Sequence, residues 1–133
     1  MTLRYLEFDL SEDTDGRCTL EAMASVTAPH WAALQAEVAG VLAWAHREFP
    51  PGPGALDDGA EWDCLLQATD DAGQDLPVHF DPREGVLAVA GPAPGDARYT
   101  LTLTLCGGPA FAAAWQDAWG ADADRPSPRR RAR

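Results

Sequence analysis

At Thr27 the hydrophobic period of this chain changes, and that change limits the fold more than any other feature. From Arg17 to Val26 apolar residues fall at every second position, with Cys18, Leu20, Ala22, Ala24 and Val26 in phase. Beyond Thr27 they recur at three and four residues, through Trp31, Leu34, Val38, Val41, Leu42, Ala45 and Phe49. A period of two lines one face of a pleated strand, and a period near 3.6 lines one face of a helix. The chain therefore passes from strand to helix with almost no linker. Pro29 suits the first helical turn, where no backbone donor is needed, and Pro50-Pro51-Gly52-Pro53-Gly54 ends the helix.

Strand patterns flank this helix on both sides. Leu3 to Leu10 alternates with Leu6, Phe8 and Leu10 inward, and Asp15-Gly16 supplies the turn into Arg17–Val26, so the two read as a hairpin. After the helix come Glu61–Thr69, Leu76–Phe80, Val86–Ala90 and Tyr99–Leu105. In the last of these Tyr99, Leu101, Leu103 and Leu105 point in while Thr100, Thr102 and Thr104 point out. The short turn-forming links predict antiparallel neighbours. Pro109–Trp119 closes the fold as a second helix, with Phe111, Trp115 and Trp119 on one stripe. The expected class is α+β, in the order β-β-α-β-β-β-β-α. Two helices cover one face of an antiparallel sheet of about six strands and leave the other face wet.

Charge divides the chain unevenly. Residues 121–133 carry five arginines and two aspartates, a net of +3 against −11 for all 133 residues, which leaves about −14 for residues 1–120. Residues 1–120 are expected to form a single globular domain and 121–133 a disordered Arg-rich tail solvated by water. An acidic body repels phosphate backbones, so nucleic acid is not an expected partner for it. No apolar run is long enough to cross a membrane, and the first residues lack the pattern of a secretory leader. The odd count of three separated cysteines argues for a reducing compartment, the cytoplasm. All ten basic residues are arginine, which with abundant Ala, Gly and Pro reads as the mark of a GC-rich bacterial genome.

The most site-like stretch is Cys106-Gly107-Gly108-Pro109, where a strand meets a helix. Dinucleotide fingerprints need G-x-G-x-x-G, and phosphate loops need a lysine, which this chain lacks altogether. The expectation is a tight joint, with Cys106 as a weak catalytic candidate and Gly107 and Gly108 as weak ligand-binding candidates. A nucleophilic Cys106 requires a base, and no spacing places His30, His46 or His79 beside it. Cys18 and Cys64 read as packed thiols, and His46 as a cation suited to the end of the helix.

No pair of cysteines or histidines has zinc spacing. The Ser11–Gly16 run has the opening of a calcium loop, but the twelfth position holds Ala22 where a bidentate glutamate is required. No metal and no cofactor are expected. The aspartate pairs Asp57-Asp58 and Asp70-Asp71 lie in loops and read as solvated carboxylates.

Two surfaces remain as candidates for protein contact. At 100° per residue Trp44 falls roughly 220° from Trp31, off the core stripe and on the side of His30, Glu37 and Glu48. Either this tryptophan is exposed, forming an acidic-rimmed partner site, or the loop after Pro50 or the second helix covers it. The other surface is the wet sheet face, expected to carry Tyr5, Glu7, Glu21, Met23, Asp63, Leu65, Gln67, His79 and the three threonines. The functional expectation is a non-catalytic domain that binds a protein partner or pairs with itself, in an accessory, immunity-type or chaperone-type role. The alternative is a small enzyme or ligand binder built on the Cys106 turn.

Overall fold

The computed structural model describes residues 3–89 and 97–123. Its core is an antiparallel sheet of five strands: β1 (Asp9–Glu12), β2 (Cys18–Thr27), β3 (Trp62–Thr69), β4 (Asp75–Leu76) and β7 (Arg98–Gly107), in spatial order β1-β2-β7-β3-β4. Two further strands, β5 (Val78–Asp81) and β6 (Val86–Val89), form a separate hairpin. Helix α1 (Ala28–Glu48) follows β2 directly, and helix α2 (Pro109–Ala123) follows β7. The last strand lies in the middle of the sheet. All ten residues of β7 pair with β2, from Arg98 opposite Thr27 to Gly107 opposite Cys18, and eight residues of β3 pair on its other side.

Both helices lie on one side of this sheet. The inward residues Leu20, Leu101, Leu103 and Leu105 are buried, as are Trp31, Leu34, Val38, Val41 and Leu42 on α1. Phe111, Trp115 and Trp119 form the buried stripe of α2. The two helices meet through aromatic rings, with Trp44 edge-on to Phe111, Trp115 and Trp119 at centroid distances of 5.7, 5.9 and 6.0 Å. Trp62 stacks nearly parallel on Phe111 at 5.8 Å, tying β3 to α2. Offset and edge-on aromatic contacts of this kind add to the burial itself. The α+β class and the single helical layer expected from the sequence are therefore observed.

Strand details differ from expectation for identifiable reasons. The expected strand Leu3–Leu10 joins the ladder only from Asp9. The amides of Arg4, Tyr5 and Leu6 are donated to the Glu37 carboxylate of α1 instead of to β2. The expected strand Leu76–Phe80 is broken at Pro77, which has no N–H for a ladder. Its first part stays on β3 and its second pairs with β6, so the single sheet of about six strands becomes a sheet of five and a hairpin of two. The turn expected over 91–97 lies outside the described residues except for Ala97, as do Ala90 and residues 124–133. Helix α2 runs past Trp119 to Ala123.

Candidate functional site

The Cys106–Pro109 turn is explained by packing. A Cβ placed on Gly107 would fall 2.4 Å from the Phe111 ring, so the aromatic side chain occupies the space a larger residue needs. Gly108 begins the helix: its N–H donates to the Glu61 carbonyl at 3.1 Å, and its carbonyl accepts from Ala112 N–H at 3.0 Å. Pro109 then takes the first helical position. The glycines expected as weak ligand candidates thus have structural duties, Gly107 in a close approach and Gly108 in a cap.

Cys106 sits on the open side of β7, between Thr19 of β2 and Asp63 of β3. Its contact is with the Thr19 hydroxyl, at 4.0 Å. Cys18 and Cys64 belong to the opposite, inward side, so neighbouring strands bring three thiols near one end of the sheet with their side chains on different faces. Burial raises the pKa of both inward thiols, helped by the Glu12 carboxylate at Cys18 and by Asp63 at Cys64. Both are held as neutral thiols.

None of the histidines joins the Cys106 turn. His30 Nδ1 lies 3.3 Å from the Tyr5 hydroxyl at the start of α1. His79 is exposed on β5. His46 does not merely face solvent at the helix end: its ring stacks on Phe80 at 5.4 Å and meets Trp62 edge-on at 5.2 Å. Burial lowers its pKa below the ordinary 6.5, so it favours the neutral form.

The loop aspartates serve the turns. Asp13 Oδ1 accepts the amides of Asp15 and Arg17, and Asp70 Oδ1 accepts those of Ala72 and Gln74. These are Asx turns, in which a short carboxylate replaces a backbone acceptor. The Ser11–Gly16 run is accordingly a hairpin turn, with Gly16 at φ 83°. Asp57 pairs with Arg17 at 3.1 Å. Among the described residues no group of His, Cys, Asp and Glu is arranged to hold a metal ion.

Of the two alternatives expected for Trp44, the structure shows coverage by the second helix. Trp44 is 3% exposed, because α2 covers that side of α1. Glu37 is engaged by the N-terminal segment, accepting from the amides of Arg4, Tyr5 and Leu6 at 2.7, 2.9 and 2.7 Å. His30 touches the same segment through Tyr5. Glu48 alone of these four residues stands exposed without such a contact. Nothing in the local sequence signals the role of Glu37, since its partners lie more than thirty residues away.

The open face of the sheet is the remaining surface. Met23 and Leu65 are 68% and 59% exposed on the strands that flank β7. Register places Met23 opposite Thr102 and Leu65 opposite Thr104, so the two apolar side chains lie diagonally across the central strand. Strand spacing and rise put them about 12 Å apart. Glu21 and Gln67 stand beside them, and Thr19, Cys106 and Asp63 form the next row. Tyr5 and His79, expected on this face, are elsewhere: Tyr5 docks against α1, and His79 lies in the β5–β6 hairpin.

In comparisons with known proteins the chain matches no family model, no curated protein and no solved structure. Among the described residues no helix is long and apolar enough to cross a membrane.

Proposed function

We propose that this chain is a non-catalytic protein-binding domain of the bacterial cytoplasm, of accessory, immunity or chaperone type, that meets its partner through the open face of the sheet. The observation that carries this reading is the exposure of Met23 and Leu65 on either side of a row of threonines. Large apolar side chains on a rigid, otherwise polar face supply contact area, and the strands that hold them need no ordering on binding. Carboxylates at Glu21 and Asp63 border the patch, and residues 1–120 carry about −14. Such a field speeds encounter with a basic partner and disfavours acidic ones. Pairing of two copies through this face would bring the same carboxylates together, which favours a different, basic protein over a homodimer. The covered Trp44 side offers no comparable patch.

The test is retention of proteins from the native host by the wild-type chain and by the Met23→Arg/Leu65→Arg double variant, at equal folded concentration. The expected result is a partner retained by the first and lost from the second. Identical retention contradicts the assignment of this face.

A further inference from the structure

We propose that β1 is a docking edge for an extended segment of a basic partner protein. The segment adds antiparallel to Asp9–Glu12, in the order basic, any residue, apolar, and fills the groove between β1 and α2. This site lies at the sheet's edge on the helix side, so it does not rest on the reading of the open face.

The hairpin turn fixes which backbone groups of β1 face outward. Asp13 N–H donates to the Arg17 carbonyl at 2.9 Å, so Asp13 and Arg17 form a hydrogen-bonded pair. Bonded and non-bonded pairs alternate along an antiparallel ladder. Glu12 opposite Cys18 and Leu10 opposite Leu20 are therefore non-bonded pairs, with Ser11 bonded to Thr19 between them. The N–H and C=O groups of Leu10 and Glu12 point away from β2, to the side where no strand lies among the described residues. Two donors and two acceptors in one line are what an added strand uses.

The same two residues line a groove. It has a volume of about 190 Å³ and is bounded by Leu10, Glu12 and Leu20 of the sheet and by Ala112, Trp115 and Gln116 of α2, among others. Phe8 meets Trp115 edge-on at 4.8 Å on one side of β1. Beyond its other end Gly16 lies close to Pro109, where a Cβ would fall 3.1 Å from the proline ring. Side chains directly opposite each other share a face of the sheet. In an added strand, the residues opposite Leu10 and Glu12 therefore turn into this groove.

The chemistry of these two positions selects the occupant. Leu10, Leu20 and Trp115 suit an aliphatic side chain. Glu12 is an exposed carboxylate with no ion pair among the described residues, because Arg17, next along the hairpin, is paired with Asp57. An arginine or lysine opposite Glu12 lays its stem on the apolar groove and its charge on the carboxylate. An antiparallel strand runs from Glu12 toward Leu10, which sets the order basic, any residue, apolar. The charge of about −14 on residues 1–120 favours a basic segment further. A second copy fits less well. Two β1 strands pairing about Ser11 would set Glu12 against Leu10 and leave both carboxylates without a cation.

The probe is a capped heptapeptide, Thr-Thr-Arg-Thr-Leu-Thr-Thr, titrated into the isotope-labelled full-length chain and followed by amide NMR shifts. The expected result is saturable binding with Kd below about 1 mM. Shifts should centre on β1 and residues 112–116, with slower hydrogen exchange at the Leu10 and Glu12 amides. Methylating the peptide's leucine nitrogen removes the donor to the Leu10 carbonyl and should abolish binding. Methylating the central threonine nitrogen, which faces away from β1, should change Kd less than about twofold. Glu12→Gln should weaken binding about threefold, and glutamate in place of the peptide's arginine should abolish it. Failure to saturate, equal effects of the two methylations, or shifts centred on Met23 and Leu65 overturn the proposal. So does slow exchange at Leu10 and Glu12 in the peptide-free chain, because another segment or a second copy then holds the edge.

Discussion

The inward and outward sides of β7 share one backbone and face opposite conditions. Leu101, Leu103 and Leu105 are fully buried beneath the helices, whereas Thr102 and Thr104 stand between Met23 and Leu65 on the uncovered side. Burial of each leucine contributes about 1.5–3 kcal/mol relative to exposure, so the covered side carries the stability of the sheet. The open side has no comparable packing duty. Its side chains are free to be chosen for contact, and two of them are large and apolar where solvation alone calls for polar residues. Substitutions that strike one side should therefore leave the other nearly untouched.

The largest effect is expected at Trp44. If it belongs to the covered side, Trp44→Ala removes an indole packed on three rings and costs about 3–5 kcal/mol, measured by urea unfolding. A change below about 0.5 kcal/mol is what a surface residue gives and breaks the comparison. Gly107→Ala comes next, because a Cβ there overlaps Phe111. Overpacking of this kind costs about 1–3 kcal/mol, seen in the same unfolding experiment. Glu37→Ala acts at the margin, leaving the amides of Arg4, Tyr5 and Leu6 without their acceptor. Its expected signature is faster hydrogen exchange at those three amides, with exchange in β7 unchanged.

The smallest effect is a pH dependence centred on His46. Burial holds its imidazole below 6.5 in the folded chain, so the unfolded chain takes up the proton first. Stability should decline as pH falls below about 6.5 and stop declining once the folded imidazole is protonated too. His46→Gln should flatten this part of the stability profile. The comparison belongs between pH 5 and 7.5, the range in which an imidazole changes its charge.

Much of this division was legible in the sequence, because alternation reports which side of a strand is covered. Cys18 to Val26 and Tyr99 to Leu105 gave both the strands and their buried sides, and the three-four spacing gave α1 nearly to the residue. What alternation does not encode is pairing order. β7 enters the middle of the sheet because β2 and β3 each present a long strand to it, a tertiary outcome with no local signal. Leu3–Leu10 and Leu76–Phe80 misled for different reasons, one losing its amides to a distant carboxylate and the other containing a proline. Trp44 was ambiguous for a related cause. Helical angle shows that a residue leaves one stripe, but not whether a second helix waits on the other side. The candidate site was legible in its residues, since Met23 and Leu65 fall on the wet side by parity, but not in its prominence. That depends on which strands flank β7.

The most direct test of the open face as the contact surface is the rate of Met23 oxidation by dilute peroxide, read by mass spectrometry in the free chain and in its partner-bound form. Met23 is 68% exposed in the free chain, so sulfoxide formation there should be rapid. The account predicts that bound partner slows it severalfold. Equal rates in the free and bound forms would contradict it.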